Sequence, residues 1–332
     1  MSAIALDLRD KLERLRIQEF RTDIFEMSRS ALREHFKYGK TINSSKLLKN
    51  LIWQDYGKLR AGALAPFRGN IRSYWYARAK PVLARADAPD LGTKYDMMIQ
   101  QFALMVVEYR LFNYGEFGFK DEGQHNRQLG AGNRHVFLVA EKVGHLPFLE
   151  DLAQDYGVTI IALGGHPSAL SSEYLVAELQ VADFHPEGPV PLLAIVDFDP
   201  QGDLIAEGFI RQLAQLGFPA PVTRLDLAHP SRMTHEQIAL NKFQVPRRKS
   251  ERKKNQRWVA KTGGLLPYGY GNDEYNIYGL EADAMTWEQL TAAFDQEAAP
   301  YLKVPREVVV RRRLKRELVE VMKELLLTRL LG

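Results

Sequence analysis

"LLAIVDFDPQGDLIAEGF", residues 192–209, runs from a short apolar stretch through an acidic turn into a segment of helix length. An apolar run this short, bounded by turn residues, reads as a strand buried on both faces. Asp197 and Asp199 stand at its carboxyl end, and Pro200 and Gly202 sharpen the exit turn. Alternation along an extended strand would point both carboxylates to one side. "VFLVA" (136–140), "VTIIAL" (158–163) and "VTRLDL" (222–227) repeat the theme, each separated from the next by a helix-length segment. Strands alternating with helices predict an α/β domain, a parallel sheet flanked by helices. Ligands in such folds gather at the carboxyl ends of the strands.

Glu141 directly follows "VFLVA", so three carboxylates, Glu141, Asp197 and Asp199, are expected at one sheet edge. Three such charges repel one another unless a cation neutralises them, and oxygen-only ligands favour magnesium. An Asp-x-Asp after a strand also occurs in haloacid-dehalogenase-like phosphatases and in sugar-nucleotide transferases. A Glu on an earlier strand followed by Asp-x-Asp on a later one is the more specific order. Glu281 and Asp283, in "GLEADAM" (279–285), fit a place close to the sheet but read as surface acids ahead of metal ligands; His135, His145 and His166 lack metal-ligand spacing, with His166, beside the turn, the exception to a purely structural or surface reading.

The first third of the chain has a different texture. Apolar residues recur at helical spacing through "SKLLKNLIW" and "YDMMIQQFALMVVEYRLF", with breaks at Gly39, Pro66, Gly69 and Pro81. "LFNYGEFGF" (111–119) reads as a short strand pair turning at Gly115 and Gly118. Helices closed by a small hairpin describe a mainly α winged-helix domain over residues 1–119. "KDEGQHNRQLGAGNRH" (120–135) is polar and glycine-bearing and reads as a linker, leaving 136–332 for the sheet domain, a basic loop and a helical extension.

Composition narrows the chemistry. With no cysteine among 332 residues, disulfides, thiolate metal sites and cysteine nucleophiles are excluded. The N-terminal segment carries a helical stripe through Leu8, Leu12 and Leu15 rather than a signal peptide, and no apolar run has membrane-spanning length. A cytoplasmic, nucleoid-associated location is the expectation. Net charge is +4, but "RRKSERKKNQR" (247–257) holds seven Lys/Arg against one acid. Arg247, Arg248, Lys249, Lys253 and Lys254 suit the phosphates of double-stranded DNA; a solvated surface loop is the plainer reading of the same charges. Leu314, Leu318, Val321 and Leu325 form one stripe of a terminal helix, suited to packing on the domain or on a second chain.

"IRSYWYARAKPVL" (71–83) sets Tyr74, Trp75 and Tyr76 among Arg72, Arg78 and Lys80. Three adjacent aromatics read as core filling, or as one nucleophilic hydroxyl held near phosphate by Arg72. A tyrosine hydroxyl has a pKa of about 10, and a nearby guanidinium lowers the cost of its anion.

"FLVAEKVGHLPFL", "YGVTIIALGGHPSALSSEYL" and "LLAIVDFDPQGDLIAEGF" together resemble the Toprim domain, and most closely that of topoisomerase VI A subunits and the related meiotic double-strand-break transesterases. Glu141-Lys142, Gly165–Pro167–Ser168 and Asp197-x-Asp199-Pro200-x-Gly202 match that family's motifs in order and spacing. Arg72-Ser73-Tyr74-Trp75-Tyr76 matches its winged-helix tyrosine motif, with Ser73 where an Asp is usual and Tyr74 where an aliphatic residue is usual. The resemblance spans roughly residues 40 to 230 and implies a stand-alone, shortened bacterial or plasmid-borne relative. It implies strand cleavage by Tyr76 transesterification, assisted by Arg72 and by magnesium on Glu141, Asp197 and Asp199. A homodimer is implied too, since a double-strand break needs two nucleophiles. No Walker-type phosphate loop is present, so an ATPase partner subunit would be a separate chain. The alternatives are a Toprim metal-dependent nuclease of a plasmid-defence complex and a non-catalytic DNA-binding adaptor.

Overall fold

The computed structural model describes residues 3–246, 248–271, 276–303 and 306–331. The chain divides into two compact units, one comprising residues up to Glu122 with Ala169–Tyr174, the other Gly123–Ser168 with the residues from Leu175 onward.

The first unit is mainly helical: α1 (Ala3–Arg14), α2 (Arg29–Phe36), α3 (Ser44–Arg60), α4 (Ile71–Tyr74), α5 (Lys80–Arg85) and α6 (Leu91–Ala103). Side-chain caps start three of them: Ser28 accepts from Ala31 N, Asn43 from Lys46 N and Asn70 from Ser73 N. Between α4 and α5 the helix widens into a π-turn, Trp75–Ala79, in which Lys80 N–H reaches back to Trp75 O. Pro81 follows and has no N–H to continue the ordinary ladder, which accounts for the widening. The core is aromatic, with Phe102 edge-to-face against Tyr74 and Phe117, both at 5.2 Å between centroids.

Residues 111–119 do not form the expected strand pair. Tyr114–Phe117 is a 3-10 turn closed by a capping box, in which Glu116 accepts from Asn113 N at 2.8 Å. Tyr56 and Arg60 bind the same carboxylate at 3.0 and 3.1 Å, so local capping wins over a strand ladder. Gly118 has a φ of +77°, and a Cβ there would press on Pro66, so only glycine turns the chain at this point. The hairpin of this unit lies instead before α3, as β1 (Lys37–Tyr38) and β2 (Thr41–Ile42).

The second unit is α/β, as expected. Its five-stranded sheet has the order β3-β5-β4-β6-β7, from β3 (Arg127–Gln128), β4 (Asn133–Ala140), β5 (Val158–Ala162), β6 (Val190–Ile195) and β7 (Val222–Asp226). All neighbours are parallel except β3, which runs antiparallel to β5. Along β4, Val136, Leu138 and Ala140 pack against α7 (Leu146–Tyr156) and α12 (Trp287–Ala298). Phe137 and Val139 face the other way, onto α8 (Ala169–Val181) and α9 (Pro200–Gln215). Both faces are thus covered, which is why the strands read as continuous apolar runs.

Residues 120–135 are more than a linker. They hold β3 and the start of β4, and the polar side chains that suggested a linker are structural. Arg127 pairs with Glu178 at 2.6 Å, and buried Asn133 donates to Tyr156 O at 2.6 Å. At Gly130 a Cβ would overlap the Gly157 carbonyl, so this glycine serves close packing rather than freedom.

After the sheet come α10 (His235–Asn241), β8 (Lys242–Gln244), α11 (Arg252–Thr262) and β9 (Tyr278–Leu280), the two strands forming an antiparallel pair. The terminal helix α13 (Arg306–Leu331) is tied to α7 by Arg313 and Arg316, which pair with Asp155 at 2.8 and 2.7 Å. Its Leu314, Leu318, Val321 and Leu325 are exposed rather than packed on the domain. Among the described residues no helix is long and apolar enough to cross a membrane.

Candidate functional site

The strand order of the sheet reverses beside β4. β4 lies between β5 on one side and β6 on the other, so the chain leaves β4 and β6 into adjacent positions on opposite winding directions, the place where such sheets bind ligands. Ala140 pairs with Ile195, which puts Glu141 beside the segment leading to Asp197. Asp197 N–H donates to Glu141 Oε2 at 3.2 Å.

Extended structure stops at Ile195, so Asp197 and Asp199 are not placed by strand alternation. Asp199 is the N-cap of α9: its Oδ1 accepts from Gln201 N at 2.8 Å and Gly202 N at 2.7 Å. Gly202 is required by packing, because a Cβ would overlap the Asp197 carbonyl. Asp197 Oδ1 turns the other way and accepts from Ala282 N at 2.9 Å. Phe198 and Leu280 exchange backbone hydrogen bonds at 2.8 and 3.1 Å, which fixes residues 280–283 beside this turn.

Glu281 and Asp283, read from sequence as surface acids, are more than half exposed and lie at the same edge. Lys142 Nζ bridges Asp283 at 2.6 Å, Glu281 at 3.1 Å and Asp197 at 3.2 Å. His145, itself buried, meets the other Asp283 oxygen at 2.8 Å. These partners lie about 140 positions away in sequence, and no local pattern announces them. Burial raises the Glu141 and Asp199 carboxyls above their usual range, and the charge of Asp197 adds to both.

Among the described residues no three carboxylate or imidazole groups converge closely enough to hold a metal ion as they stand. The donor chemistry nevertheless fits a hard divalent cation. Glu141, Asp197 and Asp199 are oxygen donors, each engaged through one oxygen only, which leaves a second oxygen on each for a cation.

In the first unit, Tyr74, Trp75 and Tyr76 have different surroundings. Tyr74 is fully buried and donates to Asp55, while Trp75 packs edge-on against Tyr95 at 5.9 Å. Tyr76, inside the π-turn, is 52% exposed. The Arg72 guanidinium, 5.8 Å from the centre of the Tyr76 ring, holds the Tyr76 hydroxyl below the usual phenol range, with a smaller contribution from Lys80. The Lys80 ammonium lies 5.2 Å from the centre of the Tyr76 ring.

The basic segment is partly helical. Arg248 and Lys249 are exposed in a loop, Lys253 is exposed on α11, and Arg247 lies outside the described residues. Lys254 reaches the acidic edge: its Nζ donates to Gln201 Oε1 at 3.2 Å, and its charge favours the ionised form of Asp199. No protein-family model matches the chain, and no curated protein matches it.

Proposed function

We propose that the chain cleaves DNA strands by tyrosine transesterification, as a relative of topoisomerase VI A subunits and meiotic double-strand-break transesterases, with a winged-helix domain followed by a Toprim domain. The observation that carries the reading is the contrast within one helix: Tyr76 is exposed with the Arg72 guanidinium and the Lys80 ammonium near its ring, whereas Tyr74 is buried in a structural hydrogen bond. A core-filling role accounts for Tyr74 and Trp75 and leaves Tyr76 unexplained.

In the proposed reaction the Tyr76 oxygen attacks a backbone phosphorus. A P–Oη bond forms, the bond to one deoxyribose oxygen breaks, and that oxygen takes up a proton. Arg72 favours the phenolate before attack and opposes the charge that develops on the phosphoryl oxygens. The phosphotyrosyl ester conserves the phosphoester bond, so the deoxyribose hydroxyl reverses the step without a cofactor. A magnesium ion on Glu141, Asp197 and Asp199 would supply electrophilic neutralisation of phosphate charge. Arg248, Lys249, Lys253 and Lys254 hold duplex phosphates, a contact that positions without reading sequence.

A denaturing gel tests this directly. Labelled duplex DNA incubated with the chain and magnesium should migrate with covalently attached protein, and Tyr76→Phe should abolish the attached species. Cleavage without attachment would assign a Toprim nuclease instead, and binding with neither would assign a DNA-binding adaptor.

A further inference from the structure

We infer that the amino-terminal end of the sheet carries a second binding site, for a small organic anion that presents a phosphate or a carboxylate. It lies at the opposite end of the strands from Glu141 and Asp197, and its occupancy is independent of the strand-cleavage reading.

A cavity of about 420 Å3 opens where the parallel strands β4 and β6 begin. Its walls are Ala131 and Gly132 just before β4, Arg134 and His135 on it, the segment 183–189 that leads into β6, and Lys303. That volume falls within the roughly 300–1,000 Å3 of small-molecule sites. Glu141 follows the other end of β4, roughly 20 Å from Arg134 along an extended strand, so an occupant does not touch the acidic edge.

Arg134 supplies the charge. Its Nε donates to Gly130 O at 3.1 Å and its Nη1 to Ala182 O at 2.8 Å, both neutral carbonyls. A guanidinium has five N–H donors, so these bonds orient its plane and leave donors for a ligand. Among the described residues Arg134 has no carboxylate partner. Arg127 and Arg224, on the two edge strands of the same sheet, have theirs at 2.6 and 2.7 Å. A half-buried guanidinium without a counter-ion favours an anion in the cavity it lines, and its planar fork matches the oxygens of phosphate or carboxylate.

The acids of the same wall do not cancel that charge. Asp183 and Glu187 are each 90% exposed, so water and salt screen them. Asp183 is bound to His185 at 2.9 Å, and Glu187 stands 3.9 Å from the Lys303 ammonium, a loose pair that an anion can replace. Lys303 is tied to the start of β4, because its N–H donates to Asn133 Oδ1 at 2.6 Å. Phe184, Pro186 and Pro189 offer apolar surface to the body of the ligand. No hydroxyl or thiol lines the cavity, so the site binds its ligand without covalent chemistry.

The test is calorimetry on the full chain with AMP, benzoate and adenosine. AMP presents a phosphate, benzoate a carboxylate, and adenosine the body of AMP without the anion. AMP or benzoate should bind, the tighter of the two naming the class of anion, and adenosine should bind roughly tenfold more weakly or not at all. Arg134→Gln should weaken the tighter probe roughly tenfold, and Lys303→Gln, at an exposed position, several-fold. On the wild type alone, that probe should slow modification of Lys303 by an amine-reactive label several-fold, read by peptide mass spectrometry, and leave Lys249 unaffected. The labelling decides the matter if Arg134→Gln fails to fold. No heat from AMP or benzoate would overturn the site, and so would adenosine binding as tightly as AMP. Binding that both variants leave unchanged, with Lys303 labelled as fast as before, would put the anion elsewhere on the chain and overturn it equally.

Discussion

The Tyr74 hydroxyl donates to Asp55 Oδ2 at 2.9 Å from a position with no solvent contact. Asp55 is equally buried and is held from the other side by Arg78 at 2.6 and 3.0 Å. Tyr74→Phe removes one donor from a buried carboxylate and should cost about 1–3 kcal/mol of unfolding free energy. Covalent attachment to DNA should survive it. Tyr76→Phe should do the reverse, sparing stability and abolishing attachment, because its hydroxyl serves no packing role. Chemical denaturation and the denaturing gel read the two effects separately. Attachment lost in Tyr74→Phe and kept in Tyr76→Phe would move the nucleophile by two positions.

Arg72 predicts a pH effect with a defined sign. It holds the Tyr76 hydroxyl below the usual phenol range, so at any alkaline pH more of Tyr76 is phenolate than an isolated tyrosine would be. Arg72→Ala should move that ionisation to higher pH, and the alkaline rise of the cleavage rate should move with it. The tyrosinate ultraviolet absorbance of the wild type minus that of Tyr76→Phe isolates this group. An unshifted difference titration in Arg72→Ala would separate the guanidinium from the hydroxyl.

Glu173 makes stability itself depend on pH. Burial pushes its carboxyl up to about 7, although Tyr114 N–H donates to it at 2.8 Å. The folded chain therefore holds a proton on Glu173 that the unfolded chain has lost, between the ordinary carboxylate value of 4.5 and about 7. Stability should fall across that window as pH rises and level off above it, by an amount on the order of 2 kcal/mol. Glu173→Gln cannot ionise and should flatten the slope, becoming the more stable protein at pH 8. Parallel slopes for the two proteins from pH 5 to 7 would show that Glu173 is already ionised in the folded state.

What was legible in the sequence follows from which interactions are local. The apolar runs at 136–140, 158–163 and 192–198 fall on β4, β5 and β6, because a strand covered on both faces is largely apolar, whereas edge strand β7, at 222–227, is only partly buried and carries Arg224 and Asp226. Edge strand β3 pairs through only two residues, Arg127 and Gln128, and polar edge residues look like a linker. The turn at 114–117 departs from the expected strand pair because Asn113 and Glu116 close a capping box there, while Gly115 and Gly118 suit a hairpin turn equally well. Glu141, Asp197 and Asp199 could be found from their places at strand ends. For Glu281 and Asp283 a place close to the sheet was the most the sequence offered; their pairing with Lys142 depends on the backbone pairing of Phe198 with Leu280.

The basic segment gives the last prediction, and the structure divides it. Arg248, Lys249 and Lys253 are exposed, whereas Lys254 already bonds Gln201 and lies near Asp199. Each lysine or arginine that contacts a DNA phosphate contributes about 0.9 to the slope of log affinity against log salt. Replacing Arg247, Arg248, Lys249 and Lys253 together by Gln should weaken duplex binding equally on unrelated sequences and lower that slope by up to about 4. Magnesium binding should be unchanged, because none of the described three touches the acidic edge. Lys254→Gln alone should lower the slope by about 1 at most. It should also raise the proton affinity of Asp199, since it removes a charge that favours the ionised carboxylate. Binding titrations across a range of salt concentrations measure the slopes, and calorimetry measures the metal. A slope unchanged in the fourfold variant would make this segment a solvated surface and place the duplex elsewhere on the chain.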